Sequence, residues 1–221
     1  MKRRLFKDLI QGTLKGKTLL RILMNNRLRK TQKLGGRILD LGSGKIRPSY
    51  YEFLKIDKDA DIISVEISDE RKPDIKADLE KSFPFKDKEF DYVLCFNLLE
   101  HIFNYRNVIG ESFRALKNGG NLIGAVPFLV SVHGDPNDYF RYTQSTLEKI
   151  LMETGFRKIT VEPLGYGPFA VSYYTVAFLF PKLVRIALLF PAIFLDKIIV
   201  KLNKMHGKDK YVLVYYFECT K

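Results

Sequence analysis

From Arg37 onward, short apolar runs of strand length alternate with stretches of helical period, a pattern that predicts a parallel sheet wound with crossover helices. Strands are expected over residues 37–41, 61–67, 74–77, 90–96, 121–126, 159–163 and 211–218. Helices are expected over 49–54, 106–116 and 143–153, the second stopped by Lys117-Asn118-Gly119-Gly120. The fold class is therefore α/β: a doubly wound, Rossmann-like, seven-stranded and mostly parallel sheet with an antiparallel last strand.

Two segments depart from this alternation. Near the start, Leu5, Phe6, Leu9 and Ile10, then Leu19, Leu20, Leu23 and Met24, recur at helical spacing among Lys and Arg, which predicts a basic amphipathic helix weakened at Gly12 and Gly16. Residues 164–205 form a long apolar stretch rich in Phe and Tyr just before the last strand. Pro168, Pro181 and Pro191 break it, and Lys182 and Arg185 split its apolar run, so short helices forming a lid or lying in a membrane interface fit better than a bilayer span. The expected organisation is a basic arm over 1–34 and one domain over 35–221 that contains the 164–205 insertion.

Charge sharpens the reading of the arm. The 221-residue chain has net charge +12, and residues 1–37 hold twelve Lys or Arg against the single Asp8. The remainder is nearly neutral. Such segregation argues against a uniformly basic nucleic-acid-binding body and for an arm that meets an anionic surface, either lipid headgroups or a phosphate backbone. Cys95 falls in an apolar strand and lies far from Cys219, so neither a disulfide nor a nucleophilic thiol is expected and a reducing compartment follows. The arm lacks the unbroken apolar core and small-residue cleavage site of a secretory signal, which predicts a cytoplasmic protein whose arm either lies on the inner membrane face or packs on the domain with its lysines in water.

The chemistry concentrates at strand ends. Arg37-Ile38-Leu39-Asp40-Leu41-Gly42-Ser43-Gly44 is an apolar strand entering a Gly-x-Gly turn, where absent side chains let backbone amides approach a ligand. Glu66 ends the next strand, twenty-two residues past Gly44, at the spacing of an acid that takes both ribose hydroxyls. Lys45-Ile46-Arg47 replaces the third glycine of the dinucleotide fingerprint, which argues against a dinucleotide.

Over residues 37–156 the chain resembles the class I S-adenosylmethionine-dependent methyltransferases, in the small-molecule branch with a Leu-Glu-His helix start. The likeness rests on Leu39–Gly44, on Val65-Glu66-Ile67, on Ala77-Asp78-Leu79, on Phe83-Pro84-Phe85, on the strand from Phe90 to Asn97 with Leu99-Glu100-His101, and on Leu116–Gly120. It implies S-adenosyl-L-methionine as cofactor, with Gly42, Ser43 and Gly44 receiving its carboxylate, Asp40 its ammonium, Glu66 the ribose, Asp78 and Leu79 the adenine, and Asn97 the methionine part.

Ligands of open α/β sheets sit beyond the carboxyl ends of the strands, which directs attention to the loop after the fifth strand. It reads Val126-Pro127-Phe128 on to His133-Gly134-Asp135-Pro136-Asn137-Asp138-Tyr139-Phe140-Arg141-Tyr142-Thr143. His133 is the expected base for a poorly ionised hydroxyl, Asp138 and Arg141 its polar neighbours or a brace for the loop, and His101 a pocket wall. The expected reaction is methyl transfer to oxygen or nitrogen of a small molecule, a sugar or a lipid-linked glycan intermediate. Competing readings are a non-catalytic membrane-associated scaffold, an RNA methyltransferase that uses the arm as a clamp, and a nicotinamide-dependent oxidoreductase. Asn97-Leu98-Leu99-Glu100 lacks the motif of amino-methylating DNA enzymes, and His101, His133 and His206 lack metal-ligand spacing, so neither a nucleic-acid acceptor nor a metal is expected.

Overall fold

The computed structural model describes residues 3–202 and 209–221; residues 1 and 2 of the expected arm, 203–205 of the expected insertion, and His206 lie outside them. One seven-stranded sheet runs in the order β3-β2-β1-β4-β5-β7-β6. Its strands are β1 (Arg37–Leu41), β2 (Asp61–Glu66), β3 (Ile75–Lys76), β4 (Phe90–Phe96), β5 (Leu116–Pro127), β6 (Arg157–Gly165) and β7 (Val212–Thr220). The pairs from β3 through β5 are parallel, with Asp40 opposite Ser64 on one side and Leu94 on the other. Beyond β5 the direction reverses: Gly119 N–H donates to Lys221 O and Lys221 N–H to Gly120 O, an antiparallel exchange.

β1, β4 and β5 are apolar because both faces of a doubly wound sheet are covered. Ile38, Leu39, Val93, Leu94, Leu122 and Ile123 are each fully buried. β5 begins five residues before the expected 121. Phe90 pairs with Leu116 and Tyr92 with Asn121, so the Lys117–Gly120 turn is absorbed into the strand as a bulge, with Gly119 at φ +82. The expected helix over 49–54 is only a 3₁₀ turn, Ser49–Phe53, whereas α3 (Tyr105–Ala115) and α4 (Gln144–Thr154) lie within a residue of expectation. Thr143 Oγ1 accepts from Thr146 N to start α4, and Gly155 at φ +106 ends it.

Contacts divide the chain into two compact units. One comprises residues 31–127, 132–162 and 216–221 and holds β1 to β5 with α3 and α4. The other comprises 1–30, 128–131 and 163–215, so the arm residues share a unit with the insertion. In that second unit α1 (Arg3–Leu14) stops at Gly16, φ +77, and α2 (Leu19–Leu28) follows, capped by Thr18. Seven of α2's ten residues are buried. Leu9 is fully buried, Phe6 lies 4.9 Å from Phe190, and Gly12 lets Ile22 approach to where a Cβ would meet it at 2.6 Å. The amphipathic pattern is thus used largely for packing.

The insertion forms α5 (Pro168–Val176), a 3₁₀ turn and α6 (Lys182–Leu202). Pro168 sits in the first turn of α5, where its missing N–H is no loss, and Pro191, expected to break the segment, lies inside α6. Asp196 on α6 accepts from Phe169 N and Ala170 N, supplying the cap that Gly167 lacks. No helix among the described residues is long and apolar enough to cross a membrane.

Gly124, in mid-β5, leaves no room for a side chain: a Cβ would stand 2.3 Å from both Cys95 O and Phe217 Cζ. Gly124→Ala is expected to destabilise the fold by about 2 kcal/mol through overpacking, read as a lower urea midpoint with unchanged m-value.

Candidate active site

β1 and β4 end side by side, and the turns leaving them build a cavity of about 290 Å³ at the carboxyl edge of the sheet. Gly42, Glu66, Asp78, Leu79 and Asn97 line it, with Arg71, His101, Asp135, Asn137 and Tyr139. Five of the eight residues expected to hold a cofactor are therefore on one wall system. Gly42 adopts φ +71, which a side chain would resist, and a Cβ on Gly44 would fall 1.9 Å from Arg71 O. The close approach anticipated for this turn is made here by the protein's own backbone.

Asp40 and Ser43 are fully buried and do not line the cavity. The Asp40 carboxylate is held by Ser43 Oγ, by Tyr50 Oη at 2.8 Å and by Tyr51 Oη at 2.5 Å. Burial pushes its pKa up, and these hydroxyls pull against the shift. Sequence reasoning missed both tyrosines. Their only signal was position, in the short connection after the glycine turn.

Glu66 Oε1 accepts from Ile67 N at 2.7 Å, while Oε2 stands 3.8 Å from Arg71. Arg71 also donates to Gly42 O at 3.1 Å and pairs with Asp135 at 2.9 Å, so it joins three parts of the cavity rim. Nothing in the local sequence marked Arg71. Asp78 Oδ1 accepts from Glu80 N, ordering the next turn. Asn97 adopts φ +50, and its side-chain Oδ1 is buried without a hydrogen bond. An orphaned acceptor on a cavity wall calls for a donor from a ligand.

The loop after β5 is braced rather than open. Asp138, its side chain 2 % exposed, receives both Arg141 terminal nitrogens, Nη2 at 2.6 Å, and His133 N–H at 2.8 Å. The Arg141 guanidinium and that amide hold its carboxyl well below the usual range. His133, Asp138 and Arg141, expected at the acceptor, do not line the cavity. Asp138 and Arg141 fasten the loop instead, the bracing role open to them from sequence.

Residues 39–124 match the family model for a methyltransferase domain. Over those residues the chain is similar to methyltransferase domains. Two uncharacterized proteins of Methanocaldococcus jannaschii are similar to it, one 56 % identical over 43 residues, 20 % of this chain. The other is 34 % identical over 88 residues, 40 % of this chain. The aligned stretches span 19 % and 43 % of those relatives' lengths. Among solved structures, a SAM-dependent methyltransferase from Archaeoglobus fulgidus has a TM-score of 0.59 at 19 % identity, covering 91 % of this chain and 94 % of that one. A SAM-dependent methyltransferase from Thermotoga maritima has a TM-score of 0.57 at 18 % identity, with 91 % and 89 % covered. Phosphoethanolamine N-methyltransferase 2 of Haemonchus contortus, bound to S-adenosylhomocysteine, gives 0.54 at 18 % identity over 90 % of this chain and 52 % of its own. These likenesses establish the fold, and the matched residues 39–124 include Gly42, Glu66, Asp78 and Asn97.

Asp138 has a lower pKa folded than unfolded, so its pair stabilises the domain above the unfolded value near about pH 4 and is lost as pH falls through the folded one. Asp138→Asn is expected to cost about 3 kcal/mol at pH 7, and the gap between variant and wild type in urea unfolding should shrink steadily below about pH 5.

Proposed function

We propose that the protein transfers a methyl group from S-adenosyl-L-methionine to oxygen or nitrogen of a small molecule, a sugar or a lipid-linked glycan intermediate. The observation that carries this reading is the orphaned Asn97 Oδ1 on the same cavity as the Glu66 and Asp78 carboxylates. An ammonium, a ribose diol and an adenine amino group are three donors, and these are three acceptors in one cavity. When bound, the cofactor supplies a methyl group on a sulfonium, whose leaving group is neutral.

Under this reading Glu66 takes the ribose, Asp78 with Leu79 the adenine, and Asn97 the ammonium. Asp40 and Ser43 act from beneath by holding the turn at Gly42. Because the leaving group is good, the chain mainly aligns the acceptor and excludes water. Tyr139 lines the cavity, 43 % exposed, and packs at 5.4 Å on Phe103, which is 64 % exposed. Exposed rings beside a polar cavity suit the apolar face of a sugar better than an isolated ion. A non-catalytic scaffold has no use for such a surface.

The unit of residues 1–30, 128–131 and 163–215 supports a peripheral membrane location. Phe178, Leu179, Leu183, Phe194 and Leu202 are each more than 60 % exposed there, and the same unit contains the basic residues of α1. An apolar surface with Lys and Arg around it fits an anionic bilayer surface, on which the apolar side chains bury and the cations meet headgroups. The membrane reading needs no spanning helix.

Thermal unfolding tests the cofactor. Saturating S-adenosylmethionine or S-adenosylhomocysteine is expected to raise Tm by about 5 °C while NAD does not, and Glu66→Ala or Asn97→Ala should abolish most of that shift. A shift with NAD alone would favour the oxidoreductase. Flotation tests the membrane: Leu183→Glu with Phe194→Glu should remove binding to phosphatidylserine-containing vesicles, whereas deleting residues 1–34 would unfold α2's packing and prove nothing. Salt-sensitive RNA binding with no flotation would favour the RNA acceptor instead.

A further inference from the structure

The 3₁₀ turn Leu99–His101 and the loop after β5 bring together three side chains that are distant in sequence. One ligand-type atom each from Glu100, His101 and His133 lie within 4.8 Å of one another. Glu100 is fully buried, and neither carboxylate oxygen has a hydrogen bond. His101 Nε2 stands 3.8 Å from Glu100 Oε1, and the His101 and His133 rings meet edge to face at 5.3 Å. On its other side His101 Nδ1 lies 2.6 Å from Asn137 O. A carbonyl accepts only, so Nδ1 carries the proton and Nε2 presents its lone pair toward Glu100 when the ring is neutral.

A buried carboxylate with no donors is costly, and burial pushes Glu100 up to about 8. Arg141 relieves it only in part, because it is paired with Asp138, whose own charge opposes Glu100. Protonation would leave an O–H and a carbonyl oxygen still without partners. A histidinium at His101 would have to bridge 3.8 Å, beyond hydrogen-bond reach. A cation between the groups satisfies all of them. Two ligands on bonds of about 2.1 Å stand at most about 4.2 Å apart, a span that holds the Glu100–His101 gap. His133, on the loop with its side chain 47 % exposed, offers a ligand-type atom within 4.8 Å of those of Glu100 and His101.

We infer that Glu100, His101 and His133 bind a divalent transition-metal ion of the zinc class, with one coordination position left to water or to an acceptor atom. Two imidazoles and one carboxylate are a donor set that such ions take with an open position. The Asn137 carbonyl supplies the outer hydrogen bond that orients a ligating histidine. The ion ties the Leu99–His101 turn to the post-β5 loop, and through His101 it adjoins the cavity. His133 is then a ligand rather than the proton acceptor suggested by the sequence. This inference concerns metal binding and stands independently of methyl transfer.

Chelator-treated full-length protein titrated with Zn²⁺ by calorimetry, and with Co²⁺ by visible absorption, is the test. One equivalent is expected, with intense Co²⁺ ligand-field bands of a four-coordinate site. His133→Ala and Glu100→Gln should each weaken binding by at least about tenfold. A cooperative urea unfolding transition reports separately that each variant is folded. His133→Ala, on an exposed loop, guards against a folding failure of Glu100→Gln. Sub-stoichiometric binding to wild type, or unchanged affinity in a folded His133→Ala, would overturn the site and leave Glu100 as a neutral buried acid.

Discussion

The buried carboxylate of Asp40 is the interaction on which the cavity depends. It sits near the end of β1, where three hydroxyls from Ser43, Tyr50 and Tyr51 converge on it. A charge placed there cannot be left without donors, so the chain after β1 must turn back at once to deliver Ser43 and then the two tyrosines. That demand explains why a 3₁₀ turn, Ser49–Phe53, replaces the longer helix expected there. It also places Gly42 at φ +71 with its carbonyl toward Arg71, and so sets one wall of the cavity.

Three other buried acids show how differently the same cost is met. Asp196 is satisfied by two backbone amides at the start of α5, and Asp138 by a guanidinium and an amide. Both serve to fasten one segment to another. Glu100 has no such donors although it is buried as deeply. In a fold that satisfies its other buried acids, an unsatisfied one beside two imidazoles is a functional feature rather than a packing accident.

The unit holding α1, α2, α5 and α6 follows a different logic. Its helices bury Leu9, Met24, Leu28, Leu189 and Ile193, yet a second set of apolar side chains on the 3₁₀ turn after α5 and on α6 stays in contact with solvent. A helix apolar on more than one face has more to cover than its own unit covers. The same unit also holds the basic residues of the first thirty positions.

Much of the architecture was legible from the chain alone. The strands at 37–41 and 90–96 match the expected limits to the residue, because a parallel strand buried on both faces is a continuous apolar run with sharp polar ends. Gly42, Glu66 and Asn97 could be placed in advance because each lies at or just past a strand end, and strand ends in such sheets share one edge, whereas Asp78 and Leu79 were marked by the family resemblance. Only tertiary structure decided what spatial convergence decides. Arg71 meets Asp135 across 64 residues, and His133 reaches His101 although no ligand spacing joins them in sequence. It also decided that most of α2 is buried rather than displayed, since amphipathic periodicity shows that a helix has an apolar face but not which surface covers it. Local pattern follows from the backbone's short periods, whereas contacts between distant segments depend on the whole packing at once.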